Sequence, residues 1–251
     1  MTQESTLDRM LNAVDYYDYA SVAFTEQDYY PESNTTRTYS VTNDVALISG
    51  KGYSTVKENN GDFEQEWYST GKDFASLNIK DREYRLEGTP RHRISLEEYN
   101  RSYKDQPFLY VDENGYEGWN NRADWPNAYH ASSCLMPNEI VFCLLTDEST
   151  WTLDGESEYL GRRCLNITVN SVEDYYREKW GTSQFTLCID KLTGILLRLE
   201  GYNEEGILRK AMIVSEISID DPEYTGERID TGIERCEQLK ADYISNSENN
   251  D

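Results

Sequence analysis

The run from Phe185 to Asp220, FTLCIDKLTGILLRLEGYNEEGILRKAMIVSEISID, constrains this chain more than any other stretch. It reads as three antiparallel strands joined by two tight turns, Asp190-Lys191-Leu192-Thr193-Gly194 and Asn203-Glu204-Glu205-Gly206. Each turn closes on a glycine, which takes positive φ without steric cost. Apolar residues alternate along the flanks: Leu187 and Ile189, then Ile195, Leu197 and Leu199, then Ile213, Ile217 and Ile219. A meander this regular belongs to a large antiparallel sheet. None of its side chains suggests catalysis.

The first half of the chain repeats the pattern. Period-two runs predict strands over residues 21–26, 36–41, 45–49, 53–57, 63–68, 74–79 and 83–87, punctuated by Gly, Asn and Asp. Connections this short make antiparallel hairpins, because a parallel crossover needs a dozen or more residues. Ahead of them, Leu7, Met10, Leu11 and Val14 form one apolar stripe of a helix over residues 6–19, with Ser5 or Thr6 as its cap.

The middle changes character. Ser95-Leu96-Glu97-Glu98 opens a short helix to about residue 103, and residues 107–112 read as a strand ending at the turn dipeptide Asn114-Gly115. Residues 113–133 look like a long polar loop. Pro137 then begins a helix whose Ile140, Val141, Phe142, Leu144 and Leu145 make it apolar on most faces. In so acidic a protein it must be buried or must cover a cavity.

Strands resume over residues 150–154 and 158–169, and residues 171–176 read as an acidic link. A last amphipathic helix over residues 229–244 carries Ile233, Cys236, Leu239 and Lys240 on one face. The fold class is therefore α+β, an antiparallel sheet of about ten or more strands with helices. Residues 1–222 form the domain, and residues 223–251 an acidic extension with a frayed end.

Composition decides several function classes. A net charge of −23 repels nucleic acid and anionic bilayers alike. The basic cluster Lys80, Arg82, Arg85, Arg91, His92, Arg93, Arg101 and Lys104 reads as counter-charge to neighbouring carboxylates, with an anion or partner patch as the other reading. No window is apolar enough to span a bilayer and no signal peptide is evident, so this chain is not expected to insert in a membrane. Taken alone, that points to the cytoplasm.

No cofactor, metal site or catalytic residue is expected. Phosphate-loop, dinucleotide and metalloprotease motifs do not occur, and the five cysteines form no C-x-x-C pair. Asp112-Glu113-Asn114-Gly115 fits a hairpin turn better than a calcium loop. A dyad of His130 and Cys134 can be drawn, but a solvated loop histidine is the preferred reading. If the strands holding Cys164 and Cys188 pair with residue numbers summing to about 352, these thiols lie opposite one another. Two buried free thiols are preferred there, with a cross-strand disulfide as the alternative.

Several segments resemble the LolA-like lipoprotein-carrier superfamily. They are the opening LDRMLNAVDYYDYASVAFTEQ, the hairpin Thr70-Gly71-Lys72 through Leu77-Asn78-Ile79-Lys80-Asp81-Arg82-Glu83-Tyr84-Arg85, and Leu160-Gly161-Arg162-Arg163-Cys164. The run Ile189-Asp190-Lys191-Leu192-Thr193-Gly194 to Glu200 and Tyr202-Asn203-Glu204-Glu205-Gly206 is similar too. The specific version resembles extracytoplasmic domains of Gram-positive anti-sigma factors and related membrane-anchored proteins. It departs at Cys188, where the pattern has tryptophan.

The resemblance covers residues 1–222. It implies a strongly curved antiparallel sheet, an incomplete barrel, with helices over the concave face. It also implies a non-enzymatic extracytoplasmic sensor or ligand-binding domain, anchored through a segment upstream of residue 1. An apolar small molecule, an acyl chain or a protein is then the expected partner. A soluble lipid or lipoprotein carrier is the alternative, and an unrecognised hydrolase the third reading. Leu7, Leu11, Val14, Ile140, Val141, Leu144 and Leu145 would form the lid or line an apolar pocket; ordinary core is the other reading of the same residues.

Overall fold

Alternation of apolar and polar residues builds two meanders that meet in the middle of one sheet. The computed structural model describes residues 1–89, 129–172 and 174–248, together with positions 93, 95, 97, 98, 101, 109–111, 115 and 117–119. The first meander is β1 (Tyr19–Tyr30), β2 (Thr35–Ala46), β3 (Lys51–Glu58), β4 (Glu64–Thr70), β5 (Phe74–Asn78) and β6 (Glu83–Gly88). A separate ribbon pairs β7 (Leu109–Val111) with β8 (Glu117–Trp119). The second meander is β9 (Trp151–Tyr159), β10 (Arg162–Val169), β11 (Gln184–Asp190), β12 (Leu196–Tyr202) and β13 (Leu208–Ile219).

The main sheet has eleven strands in the order β6-β5-β4-β3-β2-β1-β13-β12-β11-β10-β9. Its two halves join where β1 pairs antiparallel with β13, Phe24 opposite Val214. Among the described residues it does not close, and β6 and β9 are its edges. Register shifts at Ala23/Phe24, Asn166/Ile167 and Cys188/Ile189 are bulges, and bulges bend strands. An open antiparallel sheet of more than ten strands, bent by bulges and with helices on its inner face, is the architecture expected from the sequence.

Helices pack on both faces. On the inner face lie α1 (Gln3–Leu11), a 3-10 turn (Ala13–Asp15), a second 3-10 turn (Tyr129–Ala131), α2 (Ser132–Leu135) and α3 (Asn138–Leu144). They bury Met10, Val14, Leu135 and Ile140 against Phe24, Val41, Val45, Leu187 and Val214 in one core. The short helix α4 (Asp174–Trp180) sets Trp180 edge-on to Phe185. On the outer face, α5 (Glu227–Glu248) lies over β3–β6 and joins Cys236 to a second apolar cluster with Tyr68, Ala75 and Leu77.

Several expectations are corrected. The strands expected over 36–41 and 45–49 are one strand, β2, because Asn43 and Asp44 are buried within it rather than forming a turn. Asp44 accepts a 2.8 Å hydrogen bond from the Tyr19 hydroxyl and lies 3.3 Å from the Arg228 guanidinium. Residues 158–169 are not one strand either: Leu160 and Gly161, at φ 52° and 73°, turn β9 back into β10. Two successive positive φ values match the right-handed twist of a hairpin.

The link at 171–176 runs into α4 instead of staying extended. The opening helix spans Gln3–Leu11, not 6–19, and its cap is Thr2, whose hydroxyl accepts from the Ser5 amide at 3.2 Å. Of the expected helix at 95–103, Glu97, Glu98 and Arg101 are helical, and Ser95 Oγ accepts from the Glu98 amide at 3.1 Å. The remaining positions of that helix lie outside the described residues, as do Pro107, Phe108 and Asp112 of the expected strand and most of the loop at 113–133.

Candidate functional site

An apolar stripe on α1 and an apolar helix α3 have to bury somewhere, and both settle on the inner face. Val14, Ile140, Val141, Leu144 and Leu145 are buried in the main core, and Leu7 and Leu11 are half-buried against it. All seven residues singled out from the sequence therefore share one cluster. Polar ties fix this cover. Tyr17 donates to the Leu135 carbonyl at 3.0 Å and Trp151 Nε1 to the Leu145 carbonyl at 3.1 Å. Gln3 Nε2 donates to the Glu148 and Trp151 carbonyls at 2.9 Å each.

The far end of α1 rests on the Asp190–Gly194 turn. Arg9 donates to the Leu192 carbonyl at 2.9 Å. A Cβ on Gly194 would fall 2.6 Å from the Arg9 carbonyl carbon and 2.9 Å from the Met10 nitrogen. The turn itself is held by Asp190, 1% exposed, which accepts from the Leu192 and Thr193 amides at 2.7 and 3.1 Å. Asp190 also pairs with Arg162.

A buried charged node sits on the inner face. Lys210 of β13 lies 2.7 Å from Asp28 and 3.6 Å from Glu26, both on β1, with its ammonium 5.6 Å from the Trp180 ring centre. Burial pushes the Glu26 carboxyl upward against the pull of Lys210. Burial also works against the Lys210 charge, but Asp28 and Glu26 outweigh it and raise its pKa. Glu139, in the first turn of α3, adds to the same field. This charged node was not legible in the sequence, because β1 and β13 are far apart in the chain.

The histidine reading changes. His130 is not a solvated loop residue: it sits in a 3-10 turn, half-buried, edge-on to Tyr129 with ring centres 4.4 Å apart. Its Nε2 is buried without a hydrogen-bond partner among the described residues, and burial lowers its pKa to about 4. Cys134 is fully buried, and burial pushes its thiol up, away from the thiolate a nucleophile needs. The pair lacks the charge separation of a catalytic dyad.

A folded pKa below the ordinary 6.5 means that the unfolded chain protonates first as pH falls. The stability tied to His130 is then complete above pH 6.5 and lost between there and about 4. His130→Phe removes this dependence. The difference in unfolding free energy between wild type and variant should shift by about 3 kcal/mol from neutral to acid pH. A pH-independent difference in urea titrations would refute the assignment.

Arg91, His92 and Lys104 of the basic cluster lie outside the described residues. Several described members face acids: Lys80 and Asp62 at 3.5 Å, Arg85 and Glu83 at 3.1 Å, Arg93 and Asp18 at 2.7 Å, Arg101 and Glu97 at 2.8 Å. Among the described residues, no group of three or more His, Cys, Asp and Glu could hold a metal, and no helix is long and apolar enough to cross a membrane.

The cysteine register also needs correction. β10 and β11 pair with numbers summing to 354, so Cys164 faces Asp190 and Cys188 faces Asn166. The two cysteines are diagonal rather than opposite neighbours, and all five cysteines are free and buried.

No protein-family model and no curated protein matches the chain. Among solved structures it is similar to the MucA/MucB complex of Pseudomonas aeruginosa, at 14% identity and a TM-score of 0.44 over 90% of this chain and 59% of that one. It is similar to the Mycobacterium tuberculosis lipoprotein LppX, at 10% identity and a TM-score of 0.41 over 88% and 97% of the two chains. A putative outer membrane lipoprotein-sorting protein domain from Vibrio parahaemolyticus matches at 8% identity and a TM-score of 0.30, over 92% and 99%. The chain spans 61% of the MucB chain in another such structure.

Proposed function

We propose that this chain is a non-enzymatic binding domain that receives an apolar molecule or a protein partner against the inner face of its sheet. In the finer form of this reading it is an extracytoplasmic sensor within a membrane-anchored, anti-sigma-like regulatory protein. Residues 1–222 would form the binding unit, and residues 223–251 an extension.

The observation that carries the reading is the build of the inner cover. It consists of α1, two 3-10 turns, α2 and α3, of nine, three, three, four and seven residues. Helices this short are not stable alone in water and hold only while docked. Their apolar residues rest on an apolar sheet face, so an acyl chain or an apolar helix could take their place without loss of apolar burial. Each large side chain exchanged in this way is worth about 1.5–3 kcal/mol, which the incoming group must match.

Native mass spectrometry of gently purified protein, followed by organic extraction, tests this reading. A mass excess that extracts as lipid supports it. A clean apo mass that also fails to take up added fatty acid overturns the apolar ligand. A soluble carrier would differ from a sensor in passing its bound lipid to acceptor vesicles.

A further inference from the structure

Two of the five free cysteines stand apart from the rest. Cys134 and Cys143 belong to the cover helices, and Cys236 is sealed beneath α5. Cys164 on β10 and Cys188 on β11 instead alternate to the outer face of adjacent antiparallel strands, two residue pairs apart along the ladder with Leu165–Ile189 between them. After burial, which raises both, each thiol bears on the other: Cys188 raises the Cys164 pKa further, and Cys164 opposes the rise at Cys188. Cys164 also donates to the Arg162 carbonyl at 3.3 Å.

The two differ in access. Cys164 is 0% exposed, whereas Cys188 is 8% exposed and lines an outer-face groove of about 360 Å³ with Ser157, Asn166, Thr186 and Arg198. Burial raises the Cys188 pKa, while Cys164, Ser157 and Arg198 oppose that rise by favouring the thiolate. A small reagent entering the groove meets Cys188 first and finds Cys164 behind it.

Backbone geometry permits a bridge with modest adjustment. Diagonal neighbours on antiparallel strands have Cα atoms about 7–8 Å apart, just beyond the usual disulfide span of about 4.4–6.8 Å. The bulge between Cys188 and Ile189 in the β11–β12 pairing gives this strand local slack.

We propose that Cys164 and Cys188 form a reversible disulfide across the outer face, with a low-molecular-weight disulfide as oxidant and Cys188 as the entry thiol. In the first step the Cys188 thiolate attacks one sulfur of the oxidant. The oxidant S–S bond breaks, a mixed disulfide forms on Cys188, and one small thiolate leaves and takes up a proton. In the second step the Cys164 thiol, held up by burial, gives up its proton as its sulfur attacks the Cys188 sulfur, and the second small thiolate is expelled and takes up that proton. Both protein thiols are oxidised, and one disulfide is reduced to two thiols. The inference stands on the outer face and does not depend on what binds the inner one.

The test incubates the folded wild-type protein with oxidised glutathione, alkylates it after denaturation, and reads intact mass and a non-reduced peptide map. The expected result is loss of two alkylation sites out of five and a peptide joining Cys164 to Cys188, both reversed by dithiothreitol. Cys164→Ser should trap one glutathionyl group on Cys188. Cys188→Ser should take up none, because Cys164 has no direct path to the oxidant. Alkylation of all five thiols after incubation, or a link joining any other pair, would overturn the proposal.

Discussion

Replacing Gly194 with alanine is expected to cost on the order of 3–5 kcal/mol of folding stability, whereas Gly206→Ala should cost about 1 kcal/mol. Both glycines close turns of the same meander, at φ 80° and 74°, so the strain of positive φ is common to both. They differ in what a Cβ would meet. At Gly206 nothing lies within 4 Å. At Gly194 the new atom would overlap the carbonyl group of Arg9 and the nitrogen of Met10.

Those are backbone atoms at the end of α1, and they cannot rotate away as a side chain could. Either the turn or the helix must move, and Met10, 0% exposed, moves with the helix. Urea unfolding of the two variants measures the difference. Equal losses would show that α1 does not bear on this turn. A larger loss at Gly194 would also loosen the inner cover, so lipid uptake by that variant should be faster than by wild type.

That contact shows how much of the molecule could be read locally. The turn was legible because Asp190 and Gly194 satisfy it within five residues, and the alternation on either side is strict. Its docking onto α1 was not, since a glycine chosen for φ and a glycine chosen for close approach look alike in a sequence. The same limit explains β2. Asn43 and Asp44 look like turn residues until Tyr19 and Arg228 arrive from elsewhere to partner Asp44.

The hairpin at Leu160-Gly161 was hidden because leucine at φ 52° is uncommon, leaving one glycine as its only cue. The apolar stripes of α1 and α3 were visible as stripes, and they meet on the inner face as a stripe must. The Lys210 node, by contrast, exists only through pairing across most of the chain length. The error of two in the β10–β11 register has a similar source, because the connection between these strands contains α4 and sets no local pairing rule.

Arg235→Ala should weaken docking of α5 on the sheet by about 3 kcal/mol, roughly a hundredfold in its docking equilibrium. Glu66 on β4 is the reason. It is 3% exposed and accepts from Arg235 Nε at 3.1 and 3.2 Å, one to each oxygen, and from a terminal nitrogen at 2.9 Å. The Tyr53 hydroxyl donates to it at 2.9 Å and Cys236 Sγ at 3.4 Å. Removing the guanidinium leaves a buried carboxylate without its countercharge. The cheapest relief is for α5 to lift and admit water. Gly232 marks how close the helix sits, since a Cβ there would overlap the Tyr53 ring.

If residues 223–251 are an extension, α5 should detach while the sheet stays folded. Limited proteolysis would then cut within residues 227–248 under conditions where the strands resist, and the main urea transition would barely move. Replacing both partners, Glu66→Leu with Arg235→Met, should restore protection, because an apolar pair needs no countercharge. A single cooperative loss of sheet and helix together in Arg235→Ala would instead make α5 part of one folding unit. The boundary at residue 222 would then mark a turn in the chain and not the edge of a domain.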